Sequence, residues 1–336
     1  MTDRVVDIHS HITPRSYIDL LKARTEFPLV VQDGEVERLV PFPNRQGRVI
    51  TDDDWDVERK VQYMDRFGIA TSVVSLGNPI LDPFNGVEAA GIARQMNAEL
   101  SQLEGDTGGR LVGMGVLPQY EIAAAAETVA EIASTAGLHG VVTGPTICGM
   151  RFNSPHLEPV WEVLNATRIP VLLHPQHSDT SQELEGFGDA LPVSLGFPFQ
   201  TTAAVAQLAF AGVLERFPDI RLVASHGGGS LPFLAARLDA VWRSYATAQE
   251  RVKTPPSQQL SLIYLDVVVF HDRAMKAAAD LVGPSQLCFG TDHPFAIADP
   301  EGHLNSIDRL FDGDDRAAVL STTADNLFGL LDAESS

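Results

Sequence analysis

The feature that most constrains the fold is a regular alternation of short apolar runs with longer segments of helical periodicity. Some runs are continuously apolar, such as 171–173, as expected for a parallel strand that is buried on both faces. Between the runs lie helix signals: Val57, Val61 and Met64 recur at helical spacing. Gly68 then provides a stop. Repeated strand and helix units of this kind predict a parallel sheet.

The alternation yields eight predicted strands. A chain of 336 residues with eight such units favours closure into one (β/α)₈ barrel domain over residues 1–336. We find no internal repeat beyond this rhythm and no linker that would divide the chain. The predicted strands are Val5–His9, Ala70–Leu76, Leu111–Leu117, Gly140–Thr143, Pro170–His174, Ile220–Ser225, Ser261–Val267 and Leu287–Thr291.

One segment departs from the rhythm. Between Leu29 and Pro41 apolar and polar residues alternate around Asp33-Gly34, a pair that favours a tight hairpin turn. This pattern predicts a small β-ribbon inserted after the first strand, within about residues 13–50, that would cap the mouth of the barrel. A solvated surface loop is equally compatible with the sequence.

Composition restricts the partners and the compartment. A formal net charge of −20 disfavours nucleic acid and anionic membrane surfaces, because both attract basic patches. No apolar run approaches the roughly 18 residues of a membrane helix. The first residues show no secretory signal, and the two cysteines form no disulfide or thiolate-zinc pattern. We therefore expect a cytoplasmic protein that acts on a small molecule.

The residues with the clearest chemical meaning lie where predicted strands end. His9 and His11 project to the same side of a strand, although a histidine pair alone is as often structural as functional. His174 ends the fifth predicted strand, His226 follows the sixth, and Asp292 follows the eighth. The carboxyl ends of barrel strands converge on one mouth, so these five side chains are expected to meet there. Imidazole and carboxylate groups together predict a divalent-metal site.

Several motifs occur at these same places and extend over nearly the whole chain. They are DIHSH at 7–11, Arg48 upstream of Trp55-Asp56, Met64-Asp65 before Gly68, LLHP at 172–175, SHGGGSLPF at 225–233 and FGTDHPF at 289–295. With these motifs the chain resembles the amidohydrolase superfamily, in the branch of 2-amino-3-carboxymuconate 6-semialdehyde decarboxylase. The resemblance implies a metal-dependent enzyme on a barrel fold.

The resemblance also implies roles for individual residues. His9, His11, His174 and Asp292 would be ligands of one divalent metal, and His226 beside it would transfer a proton or activate water. Asp292 could act as ligand and proton donor together. Zinc suits three histidines and one carboxylate, and manganese stays open. No lysine at a strand end resembles the carboxylated lysine that bridges two metals elsewhere in the superfamily.

Three glycines follow His226 and permit a tight turn with close backbone approach. A phosphate-binding loop is the competing interpretation of this run. It is disfavoured because the run lacks the GxGxxG spacing and the P-loop lysine, and because it follows the sixth strand of a predicted barrel.

Candidate substrate-binding residues are also carried by the resemblance. Arg48 and Arg237 match positions where arginines bind substrate carboxylates, and Arg237 could be donated across a homodimer. Either could instead be an ordinary surface or salt-bridge arginine. Phe295 could line the substrate pocket or pack in the core, and His177 could line the pocket or lie in a solvated loop.

The branch favours non-oxidative decarboxylation of a small aromatic or muconate-like acid, with His226 and Asp292 moving the protons. Two departures argue against the aminocarboxymuconate semialdehyde itself: Thr51 stands where the branch has a second arginine, and Gln176 where it has tryptophan. A hydroxylated aromatic or heteroaromatic carboxylate is equally compatible. The alternative reaction is hydrolysis of a lactone or amide by metal-bound hydroxide.

Overall fold

The structure is a computed structural model that describes residues 4–43, 47–81, 84, 86–176, 184 and 186–331. Eight parallel strands form one sheet in the order β1, β5, β6, β7, β10, β11, β12, β13, and two small antiparallel sheets accompany it. The strands are β1 (Val6–His11), β2 (Leu29–Asp33), β3 (Val36–Val40), β4 (Arg48–Val49), β5 (Thr71–Ser75), β6 (Leu111–Val116), β7 (Leu138–Thr143), β8 (Thr146–Ile147), β9 (Met150–Arg151), β10 (Val171–Leu173), β11 (Leu222–Ala224), β12 (Tyr264–Asp266) and β13 (Leu287–Cys288).

The sheet closes on itself between its first and last strands. The Ile8 amide donates to the Phe289 carbonyl at 3.0 Å, and the Thr291 amide donates to the His9 carbonyl at 3.1 Å. Each of the eight predicted strands has a counterpart among the barrel strands. The predicted (β/α)₈ barrel is therefore confirmed.

Helices follow most barrel strands. The helix predicted before Gly68 is present as α2, and Gly68 ends it in the left-handed conformation with φ 68°. The described helices are α1 (Arg15–Ala23), α2 (Val57–Phe67), α3 (Gly86–Asp106), α4 (Ile122–Ser134), α5 (Glu158–Thr167), α6 (Phe197–Phe210), α7 (Val213–Arg216), α8 (Leu231–Ser244), α9 (Ala246–Arg251), α10 (Pro256–Leu260), α11 (Asp272–Val282), α12 (Pro300–Leu310), α13 (Gly313–Ala317) and α14 (Thr323–Phe328). None of the helices described is both long and apolar enough to cross a membrane.

The predicted β-ribbon after the first strand is present. β2 and β3 pair antiparallel about a turn at Gly34, whose φ is +62°. The structure adds helix α1 before the ribbon and a third strand, β4, which pairs with β3. The alternative of a solvated loop is wrong for this segment, because its backbone hydrogen bonds are used within a sheet.

In β1, side chains alternate between an apolar cluster on one face of the strand and polar contacts on the other face. Val6 and Ile8 are fully buried in an apolar cluster that also contains Met96 of α3. Because successive side chains point to opposite faces of a strand, Asp7 and His9 project to the other side. They are equally buried, and they supply the polar contacts described below.

Candidate metal centre

The five predicted residues at strand ends do meet at one place. His9 and His11 are the last alternate residues of β1, His174 follows β10, His226 follows β11, and Asp292 lies beyond β13. The Nε2 atoms of all four histidines surround the Asp292 carboxylate. They lie 3.3 Å (His9), 3.2 Å (His11) and 4.0 Å (His174) from Oδ1, and 3.6 Å (His226) from Oδ2.

The donor set fits a divalent metal. One ligand atom each from His9, His174, His226 and Asp292 lies within 4.8 Å of the others, and His11 adjoins this group. Among the described residues, His9 Nε2 and both ring nitrogens of His174 are buried without a hydrogen-bond partner. Buried polar atoms are rarely left unpaired in native proteins, so the Nε2 atoms of His9 and His174, which both face the Asp292 carboxylate, indicate a ligand there.

Burial and mutual charge effects shift the pKa values of the cluster residues. Burial disfavours the charged form of His9, but the carboxylates of Asp292 and Asp266 outweigh it and raise the pKa to about 10. Burial lowers the pKa of His11 to about 4, and burial with the neighbouring imidazoles holds the pKa of His174 well below 6.5. Burial opposes ionisation of Asp292, yet the imidazoles keep its pKa well below the usual value. Neutral imidazoles and an ionised carboxylate are the forms that ligate a metal, so His11, His174 and Asp292 already have the required form, whereas a metal ion at His9 would displace a proton.

Asp266, at the end of β12, is a site residue that the sequence analysis did not single out. His9 Nδ1 lies 2.6 Å from Asp266 Oδ2, which in the matching tautomer leaves Nε2 free as a ligand atom. A carboxylate that binds the second nitrogen of a ligating histidine fixes the orientation of the ring. Its position at the end of the seventh barrel strand was a signal that could have identified it.

The glycine run after His226 also depends on Asp266. The His226 and Gly227 amides donate to the Asp266 carboxylate at 2.8 and 2.9 Å. A Cβ atom on Gly227, whose φ is +61°, would lie 2.3 Å from Val269 Cγ1. The amides that a phosphate-binding loop would offer are therefore occupied by a carboxylate of the barrel. This geometry argues against the phosphate-loop interpretation and explains why small residues are needed here.

The β-ribbon brings a cationic group to the edge of the site. Arg48, on β4, pairs with the buried carboxylate of Asp54. Its guanidinium lies 5.4 Å from the centroid of the Phe295 ring, and that ring lies 5.0 Å from the ring of His11. Arg48 and Phe295 thus stand beside the cluster. Among the described residues, Arg48 Nε is buried without a hydrogen-bond partner.

Arg237, a further candidate, does not lie at the cluster in the part of the chain that the structure describes. Arg237 lies exposed on α8 and makes no ion pair with any residue that the structure describes. His177 lies outside the described residues.

The chain belongs to the amidohydrolase family, whose sequence profile matches residues 6–330. It is 24% identical to 2-amino-3-carboxymuconate-6-semialdehyde decarboxylase of Dictyostelium discoideum over 331 residues, which cover 96% of this chain and 89% of that protein. The crystal structure of Metarhizium anisopliae IDCase in apo form superposes with a TM-score of 0.91 and 30% identity, covering 98% of each chain. That of manganese-bound 5-carboxyvanillate decarboxylase from Novosphingobium aromaticivorans superposes with a TM-score of 0.82 and 19% identity, covering 98% of this chain and 97% of that one. Within the family, the chain groups with this decarboxylase branch.

The ligand set can be tested by removing one imidazole. We expect His174→Ala to weaken metal binding by more than about 100-fold, because losing even an outer hydrogen-bond partner costs ~10–100-fold. Metal content after dialysis and competition with a chelator measure the change. His139→Ala is the matched control, since His139 lies at the opposite end of the barrel and bonds to the Phe328 carbonyl. Wild-type affinity in His174→Ala would place the ion elsewhere.

Proposed function

We propose that the protein is a metal-dependent non-oxidative decarboxylase of a small aromatic or muconate-like carboxylic acid. The observation that carries this proposal is the buried cluster of four imidazoles around Asp292 at the mouth of the barrel. Membership in the decarboxylase branch makes the chain a carboxy-lyase of the amidohydrolase superfamily. The named relatives act on different acids, so the branch supports the reaction class more strongly than any one substrate.

His9, His11, His174 and Asp292 are the proposed ligands of one divalent metal. Three imidazoles and one carboxylate suit zinc, whereas the manganese in the Novosphingobium relative supports the alternative ion. Such an ion supplies Lewis-acid charge that stabilises negative charge on a substrate oxygen.

The protein's own groups would handle the proton. When the bond between the substrate carbon and its carboxylate breaks, CO₂ leaves and the electron pair stays on carbon, which must gain a proton. His226 Nε2 lies 3.6 Å from Asp292 Oδ2, and both side chains are largely buried. His226 in its imidazolium form can deliver that proton, the Asp292 carboxylate beside it stabilises the imidazolium before the transfer, and solvent returns a proton to His226 afterwards. Water is not a reactant in this step.

Arg48 and Phe295 are proposed to hold the substrate. The guanidinium can form paired hydrogen bonds with a carboxylate, and the Phe295 ring beside His11 offers an apolar surface for a planar acid. His177 is kept as a second pocket candidate on the strength of its position three residues after His174.

We further propose that the protein is a homodimer that uses the face formed by the amino-terminal ends of α6 and α8. These ends contact each other, since the Ser230 amide donates to Thr202 Oγ1 at 2.8 Å. Phe233 is 88% exposed and Phe199 is 54% exposed, and two large apolar side chains exposed on adjacent helices favour a protein–protein contact at this face. Arg237 lies one helical turn after Phe233, so a second copy that covered Phe233 would also meet Arg237.

The reaction is tested by screening hydroxylated aromatic and muconate-like acids for CO₂ release, with lactones and amides assayed in parallel. We expect CO₂ release by the metal-loaded wild type and a loss of kcat of about 10²–10⁴-fold in His226→Ala, the usual contribution of a positioned acid or base. His156→Ala, at an exposed position, is the control and should be unaffected. Turnover of a lactone or amide without CO₂ release would instead establish a hydrolase.

The role of Arg48 predicts a selective effect on substrate binding. Arg48→Met should raise KM for the acid by about 10–100-fold, because hydrogen bonds to a charged group contribute about 1.5–3 kcal/mol. Steady-state kinetics measure the change. Arg38→Met is the matched control: Arg38 lies on the adjacent ribbon strand, paired with Asp33, and its loss should leave KM unchanged. An unchanged KM in Arg48→Met would remove Arg48 from the substrate site.

The dimer is tested at its most exposed apolar side chain. Phe233→Asp should shift the molar mass in solution from dimer to monomer, because it places a charge on each side of a shared apolar contact. Sedimentation equilibrium or light scattering measures the mass. Phe27→Asp, in the segment between α1 and β2, is the control and should remain dimeric. A monomeric wild-type protein, or a dimeric Phe233→Asp variant, would contradict this interface.

A further inference from the structure

A buried lysine lies directly behind the metal centre. Lys60, on α2, is only 1% exposed, although it carries a long and strongly hydrated side chain. Transfer of an ammonium group from water into a protein interior is strongly unfavourable unless the group is well partnered. A lysine that is retained at such a position therefore needs compensating contacts, and those contacts indicate its role.

The contacts of Lys60 are concentrated on two segments that carry ligands. Its Nζ donates to Ser10 Oγ on β1, between His9 and His11. It lies 2.8 Å from His293 Nδ1, and it donates to the carbonyls of His11 and His293 at 3.4 Å each. None of these partners is a ligand nitrogen or the Asp292 carboxylate.

The His293 ring is held between two residues of the same helix. Lys60 binds its Nδ1, and the Tyr63 ring packs against it with a centroid separation of 3.7 Å. Lys60 and Tyr63 are three residues apart and therefore neighbours on one face of α2. Helix α2 therefore contacts the residue that follows Asp292 through two of its side chains.

These contacts of α2 hold a segment whose backbone has a rare conformation. Asp292 has φ +62°, in the left-handed region that residues with a side chain rarely adopt. It persists only because the surrounding contacts hold it. The His11 amide donates to the His293 carbonyl at 2.7 Å, and the Asp292 amide donates to the His9 carbonyl at 2.8 Å. Lys60 bonds to both sides of this junction between β1 and the segment after β13.

We infer that Lys60 is a positioning residue that holds His11 and Asp292 in register for the metal ion by tying Ser10 to His293. The inference deepens the metal centre proposed above and rests on it. The inference predicts the direction in which metal affinity changes when Lys60 is removed. Coulomb repulsion between the ammonium and a divalent cation predicts tighter metal binding when Lys60 is removed, whereas loss of positioning predicts weaker binding.

The test compares Co²⁺ binding by Lys60→Met and by the wild-type protein, using chelator competition and the visible absorption of bound cobalt. We expect the dissociation constant to rise about 10–100-fold, the usual effect of losing a group that orients ligands. The absorption spectrum should change as well, because the geometry of the ligands is altered. Met64→Ala is the control: Met64 lies one turn further along α2, is fully buried and packs in the apolar core. It should lower the melting temperature and leave the cobalt constant unchanged.

A dissociation constant for Lys60→Met that equals or falls below the wild-type value would overturn the inference. If Lys60→Met does not fold, His293→Phe takes its place, because it keeps a ring against Tyr63 and removes the Nδ1 partner of Lys60. Unchanged cobalt binding in that variant would equally overturn the role. A wild-type protein that binds no Co²⁺ would overturn the metal centre and this role together. Normal cobalt binding without CO₂ release would contradict only the decarboxylase proposal.

Discussion

The site depends most on the hydrogen bonds of the Asp266 carboxylate. They connect β1, the turn after β11 and the end of β12. The carboxylate bonds to His9 Nδ1 from β1, accepts the amides of His226 and Gly227 after β11, and accepts the Val268 amide beyond its own strand. One buried group therefore orients a proposed metal ligand and shapes the turn that presents the proposed proton carrier. Its removal would disturb both functions at once, since the two share a single anchor.

The same arrangement determines the balance of buried charges around the cluster at the mouth of the barrel. Asp7, Asp266 and Asp292 are buried carboxylates around the cluster, and Lys60 supplies one buried positive charge nearby. Asp7 is satisfied by hydrogen bonds from the His9 amide and from Thr291. The excess of buried carboxylates over Lys60 raises the pKa of His9, and a divalent ion bound at this place would supply positive charge instead of the His9 proton.

Sequence patterns revealed the barrel and the members of the cluster because both depend on local periodicity and on where strands end. The two supporting residues were missed for different reasons. Asp266 lay within a predicted strand, but the face to which it points depends on a tertiary register that period-2 alternation does not determine. Lys60 sits in the charged run Glu58-Arg59-Lys60, where Arg59 is half exposed and Lys60 is buried. Only the rotation of α2 against β1 distinguishes them, and that rotation is a property of packing.

The architecture also separates the chemistry from the choice of substrate. Histidines and Asp292 emerge from barrel strands whose backbone is fixed on both sides, whereas Arg48 is delivered by a short edge strand of the inserted ribbon. Asp54 holds Arg48 at the Phe295 ring, and the Asp54 carbonyl accepts the Thr13 amide at 2.6 Å, which docks the end of the insertion onto the chain after β1. Because loops and insertions vary with little effect on the barrel, changes in this ribbon could alter the acid that is bound while the metal centre and its proton carrier keep the same reaction.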